Sequence, residues 1–192
     1  DKRIKMTIDH NDVTSTLTNF PVLVYLSTAS GRGSPQDDLS CVFNELGSDA
    51  NRKKMSVTTS DGTTECYVKI EKWDNANKKA WLWVKVPSIS SVADTVLYLY
   101  YDKDHADNTA YVGDVDSTVA QNVWGTNFKG VWHLSQTSGG SGAIKDSTSN
   151  NNDGTNINSP TFGATGMIDS AIEFDGTSPY DYTKVSDSAG LR

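Results

Sequence analysis

Residues 80–102, AWLWVKVPSISSVADTVLYLYYD, constrain the fold more than any other stretch. They read as two β-strands with a polar turn between them. In the first, Trp81, Trp83, Lys85 and Pro87 alternate with Leu82, Val84 and Val86. In the second, Val96, Tyr98 and Tyr100 alternate with Leu97, Leu99 and Tyr101. Successive side chains of a strand point to opposite faces. Each strand therefore offers an aliphatic face to a core and an aromatic face to a second surface. Pro87 cannot donate to a ladder and belongs at a strand end.

The remaining pattern is also β-rich. Residues 3–9 alternate like an opening strand, and 20–26, FPVLVYL, form a strongly β-prone run with Pro21 at its start. The short apolar patch 41–46 reads as a strand. Residues 54–59 and 64–73 flank Asp61-Gly62 and predict a β-hairpin. Strict alternation puts Cys66, Val68, Ile70 and Lys72 on one face of its second arm, and Glu65, Tyr67, Lys69, Glu71 and Trp73 on the other. Only 116–124 accommodates a short helix. No segment keeps a 3.6-residue apolar period over three turns, so the class is all-β. Beyond 128 the composition shifts to Gly, Ser and Asn, with short strands expected at 128–134, 171–174 and around 182–185.

Charge excludes one class of partner. The 17 basic and 24 acidic residues give a formal charge of −7, whereas phosphate binding wants a basic patch. No apolar run approaches the ~18 residues of a membrane span. Abundant Ser, Thr, Asn, Asp and Gly lean toward an extracellular setting. Cys41 and Cys66 allow a single intrachain pairing; a disulfide is the expectation for an exported chain, and two separate buried thiols are the alternative.

Residues 1–112 resemble the DUF2341 family, an uncharacterised β-sandwich domain of bacterial and archaeal surface proteins. The stretches that carry the likeness are NFPVLVYL (19–26), VTTSDGTTECYVKIEKWD (57–74), AWLWVKVPSIS (80–90) and DTVLYLYYD (94–102). The family's usual Tyr-Tyr-Gly-Asn-like ending is replaced here by Tyr100-Tyr101-Asp102-Lys103. Residues 128–192 are similar to the start of a laminin-G/concanavalin-A-like lectin domain, through VWHL (131–134), KDSTSNNNDGT (145–155), 166–176 and DSAGL (187–191). The combined resemblance implies an antiparallel, jelly-roll-like β-sandwich over 1–112, a linker at 113–127 and a partial concanavalin-A-like sandwich over 128–192. A full domain of the second type is roughly twice as long, so the chain is expected to stop partway through it. Unpaired sheet edges left by such a truncation can pair with a neighbouring chain.

Four groups of residues are candidates for function. Asp146, Asn150, Asn152 and Asp153 present oxygen atoms along a flexible loop, as Ca²⁺ requires; the alternative is an Asx-rich turn bonding its own backbone. Trp81, Trp83, Tyr98 and Tyr100, if they share a face, make a flat aromatic platform for stacking sugars. Asp102, Asp104, His105 and Asp107 match a metal cluster by residue type but read better as a solvated loop. Glu173 and Asp175 have the spacing of a glycosidase carboxylate pair, but Gly176, Thr177, Ser178 and Pro179 follow where another Glu is needed. The expectation is a non-catalytic extracellular binding module for a glycan or cell-surface polymer, with calcium as the candidate cofactor. The alternative is a subunit of a fibre, sheath or virion assembled from copies of itself through sheet edges. A glycoside hydrolase is the weakest reading.

Overall fold

The computed structural model describes residues 2–32, 35–188 and 191. The chain forms two compact units, Asp1–Val123 and Trp124–Arg192. Elements of the first unit, in chain order, are β1 (Lys2–Ile8), β2 (Leu17–Leu26), α1 (Ser40–Leu46), β3 (Met55–Thr59), β4 (Glu65–Cys66), β5 (Val68–Asp74), β6 (Lys79–Ile89), β7 (Thr95–Tyr101), β8 (Val112–Asp114) and α2 (Thr118–Gln121). The strands make two four-stranded sheets. Sheet one has the order β1-β7-β3-β4 and sheet two the order β2-β6-β5-β8. All pairings are antiparallel except β5 with β8, which is parallel. This is the all-β sandwich that the alternating patterns predict.

The aliphatic faces meet as expected. Leu82, Val84 and Val86 of β6 and Leu97 and Leu99 of β7 share one buried cluster with Met55, Val57, Val68 and Ile70. Two details depart from simple alternation. The hairpin at Asp61-Gly62 pairs for only two residues, Val57 with Cys66 and Thr58 with Glu65. The chain then passes through Tyr67 into sheet two, where β5 pairs with β6. Within β5 a bulge between Ile70 and Lys72 shifts the register, because an extra residue reverses the inward and outward sense beyond it. Trp73 therefore turns into the core, 8% exposed, instead of sharing the outer face with Lys69 and Glu71.

The patch at 41–46 is the helix α1 and not a strand. Val42, Phe43 and Leu46 lie on one buried side, the spacing a short helix needs to bury one stripe. Gly47 ends it in the left-handed conformation at φ 74°, its N–H returning to the Phe43 carbonyl. Phe43 packs on Trp73 at 4.9 Å between ring centroids. Cys41 and Cys66 are both free thiols. Cys41 sits on α1 and is exposed, whereas Cys66 is buried in β4. Burial pushes the Cys66 thiol up to about 11, so it behaves as an inert apolar group.

Residues 113–123 do not form a linker: β8 completes sheet two, and α2 lies against β8 and β5. Ser117 caps α2, its hydroxyl accepting from Ala120 N–H at 3.2 Å. Among the described residues, the second unit holds two separate two-stranded ribbons. They are β9 (Gly154–Ile157) with β12 (Tyr182–Val185), and β10 (Thr161–Thr165) with β11 (Ser170–Glu173). Expected strands near 171–174 and 182–185 are present. Residues 128–134 form only a single bridge, Trp132 to Asp146.

Truncating Leu99, which is fully buried at the centre of sheet one, is expected to cost about 2–5 kcal/mol. The half-exposed Leu23 on β2 (40% exposed) is expected to cost less than about 1 kcal/mol on the same change. Urea titrations of L99A and L23A check the contrast.

Candidate functional site

The four aromatics expected to share a platform divide between the two sheets. Trp81 and Trp83 alternate with buried Leu82 and Val84 on β6 of sheet two. Tyr98 and Tyr100 alternate with buried Leu97 and Leu99 on β7 of sheet one. Since both aliphatic sets point into the shared core, the two aromatic sets face opposite ways. On sheet two, Trp81 pairs across from Tyr25 and Trp83 across from Leu23, and the Trp81 and Tyr25 rings lie 4.8 Å apart. On sheet one, Arg3, Tyr100 and Ser56 stand in one row, and Lys5, Tyr98 and Thr58 in the next. The Arg3 guanidinium covers the Tyr98 ring at 4.7 Å and donates to the Tyr100 hydroxyl at 3.3 Å. Tyr98 is thereby masked.

Tyr100 instead opens onto a groove of about 410 Å³ on the outer face of sheet one. Ser56 and Thr58 of β3 share its floor. One wall is the tight turn with Gly62 and Thr63, and the other is the loop carrying Asp102, His105, Ala106 and Asn108. The turn is rigid for a clear reason. Asp61 Oδ1 accepts the N–H groups of Thr63 and Thr64, each at 2.8 Å, and Oδ2 accepts the Thr64 hydroxyl at 2.6 Å. Gly62 has φ 73°, and a Cβ there would lie 3.2 Å from the Tyr100 hydroxyl. Glycine thus supplies both the left-handed turn and the close approach to the tyrosine.

The opposite wall is stitched to β3. Asp102 N–H donates to the Lys54 carbonyl at 3.2 Å, and Asn108 N–H to the Lys53 carbonyl at 2.9 Å. Lys54 Nζ donates to the His105 carbonyl at 2.7 Å. Asn108 Nδ2 donates to the Met55 carbonyl and to Glu65 Oε1, both at 3.2 Å. Ser56 donates its hydroxyl to the same Glu65 oxygen. The 102–107 segment, read from sequence as a solvated loop, is thus a groove wall. Its acidic residues do not converge as a metal cluster with the others of the segment: Asp104 pairs with Lys103 at 3.0 Å, and Asp102 accepts Asp104 N–H at 2.9 Å.

The calcium candidates are spent on holding their own loop. Asp146 Oδ1 accepts the N–H groups of Val131 (3.0 Å) and Thr148 (2.9 Å). Its Oδ2 accepts the Thr148 hydroxyl (2.8 Å) and Asn152 N–H (2.9 Å). A carboxylate has about four acceptor positions, and here all are filled by donors. Asp153 accepts Asp146 N–H and Lys145 Nζ. Asn150 and Asn152 turn their amide N–H groups to the carbonyls of Phe128 and Lys129. The Asn152 side-chain oxygen accepts from Ser188 at 2.7 Å. These four residues do not fit a calcium centre; they act as the bonding core of a polar loop. Among the described residues, the side chains near enough to share an ion are Asp9, His10 and Asp94, which sequence reading passed over because Asp94 is distant in the chain. His10 Nδ1 lies 2.7 Å from Asp94 Oδ1.

The Asp61 carboxyl is held well below the usual carboxylate range, first by the Thr64 hydroxyl and then by the Thr64 and Thr63 amides. A depressed folded value stabilises the turn above the unfolded value of about 4 and is lost as pH falls through the folded one. Asp61→Ala is expected to speed amide exchange of Thr63 and Thr64 by about tenfold at neutral pH, with exchange in the core strands unchanged. Exchange monitored by NMR checks this, and the wild-type turn is expected to keep its protection at pH 4.

Residues 51–130 match the family model described as Domain of unknown function (DUF2341). The match spans β3 to α2, includes both groove walls, and runs through the expected linker. Upstream of 51 and beyond 130 the likenesses read from sequence rest on the residues alone. No curated protein and no solved structure matches the chain.

Proposed function

We propose that the chain is a non-catalytic binding module of an extracellular surface protein and that the sheet-one groove takes a neutral glycan. The observation that carries this is the pairing of an aromatic floor with a dense polar rim. Tyr100 offers a ring to the CH face of a sugar. Glu65, Ser56, Thr58, Asp102 and Asn108 line the same groove and can exchange hydrogen bonds with hydroxyls. Small-molecule sites combine an apolar surface with a few placed polar groups in a volume of about 300–1,000 Å³. The rim carries Glu65 and Asp102 against Lys54, which is tied to a carbonyl, so an anionic ligand is disfavoured. Nothing in this reading requires calcium.

Isothermal titration of the full chain against soluble neutral oligosaccharides tests it. Tyr100→Ala is expected to weaken binding by at least about tenfold, the loss of roughly one stacked ring, while Trp81→Ala on the opposite sheet leaves it unchanged. Equal binding by Y100A and wild type, or no binding across the panel, overturns the reading.

A second reading, a self-assembling structural subunit, is favoured by β2. This ten-residue strand lies at the edge of sheet two, and exposes Phe20 (41%) and Leu23 (40%). An edge strand of this length is a template for pairing. If it drives assembly, light scattering finds large particles that Leu23→Lys disperses; a monomer at all concentrations sinks it.

A further inference from the structure

The least expected group in the first unit is a lysine with no exposure at all. Lys69 of β5 is 0% exposed, and its Nζ lies 3.3 Å from Glu71 Oε2, itself almost fully buried. Buried ammonium groups are costly even when paired. Lys69 has Trp83 beside it on β6 and Gly113 beside it on β8. At Gly113 a Cβ would fall 2.3 Å from Ser117 Oγ and 2.6 Å from Ala120 N. The turn after β8 therefore folds flat over the strand that adjoins Lys69. That turn is closed by Ser117 N–H donating to the Asp114 carbonyl at 3.1 Å, and Asp116 is its third residue, at φ 65°.

Two acidic groups belong to this turn, and they have different duties. Asp114 is committed to basic partners: Arg52 Nε and Nη2 donate to its two oxygens at 2.7 and 2.9 Å, and Lys53 Nζ lies 3.3 Å away. Asp116 belongs to the turn that folds over Gly113, the residue beside Lys69, and pulls on the Lys69 charge more weakly than Glu71 does. Burial pushes the Lys69 ammonium down from its usual range, against the pull of those two carboxylates, which raises the share of nucleophilic amine.

We propose that Lys69 and Asp116 join in an intramolecular amide that cross-links β5 to the turn following β8, with Glu71 relaying the proton. The Lys69 amine attacks Cγ of Asp116, forming the C–N bond. Glu71 accepts a proton from the nitrogen and returns it to the departing oxygen. The C–O bond breaks and one water leaves. An ammonium and a carboxylate become one neutral amide plus water, so no oxidant or other co-reactant is needed. Asp116 is exposed, which gives the water an exit, and Glu71 lines a small pocket of about 270 Å³. The product removes the buried charge of Lys69.

Intact-mass spectrometry of the denatured full chain tests this directly. The expected mass is one water below that of the sequence, with a branched proteolytic peptide joining Lys69 to Asp116. Lys69→Arg and Glu71→Gln are expected to restore the full mass. Succinimide formation at Asp61-Gly62, Asp153-Gly154 or Asp175-Gly176 also loses water. A loss that persists in K69R, or that maps to those pairs, overturns the proposal, as does a folded wild-type chain of full mass. The wild-type measurement decides the matter even if the variants fail to fold.

Discussion

One extra residue in β5 determines much of what surrounds it. Had the strand kept strict alternation past Ile70, Lys72 would face the core and Trp73 would face out. The bulge exchanges them. An indole enters the cluster and meets Phe43, which anchors α1 by its most voluminous side chain. The same extra residue leaves Glu71 buried beside Lys69 instead of in a regular cross-strand pair. Hydrophobic filling and an unusual buried charge pair thus share one local cause, since a bulge re-aims every side chain beyond it.

The sequence was legible where periodicity alone decides. The aliphatic faces of β6 and β7 are as Leu82-Val84-Val86 and Leu97-Leu99 foretell. It was not legible where the answer depends on which sheet a strand joins. Trp81 and Tyr98 carry the same alternating signal, yet that signal has no term for a partner strand, and they face opposite ways. The hairpin at Asp61-Gly62 was clear from its turn chemistry, but its early crossing at Tyr67 was not. In α1 the window is too short to separate a helical stripe from a buried strand. The resulting groove combines both cases: Asp61, Gly62 and Tyr100 stand out in the sequence, while Glu65 and Asn108 gain meaning only once β3, β4 and β7 lie side by side.

The second unit obeys a different balance. Asp146, Ser147, Thr148 and Asn152 are buried there, whereas Ile144 is a rare fully buried aliphatic. Charged acceptors bonded to several backbone donors are strong and directional. A loop rich in Asp and Asn can therefore be organised by such bonds alone, which is why a pattern suited to a cation serves here as internal scaffolding.

The register of the first unit has a consequence for the order of events as the chain is made. Among the described residues, β1 pairs with β7 alone, Lys2 opposite Tyr101, and β2 with β6 alone. β2 must wait, unpaired, until β6 is complete at residue 89, and β1 until residue 101, and closing loops of that span is slow. Pairing of β5 with β6 and of β3 with β7 can nucleate first, with the N-terminal strands added last to finished sheets. Lys2, Arg3 and Lys5 give β1 a charged surface during that wait, a guard against pairing with the wrong chain.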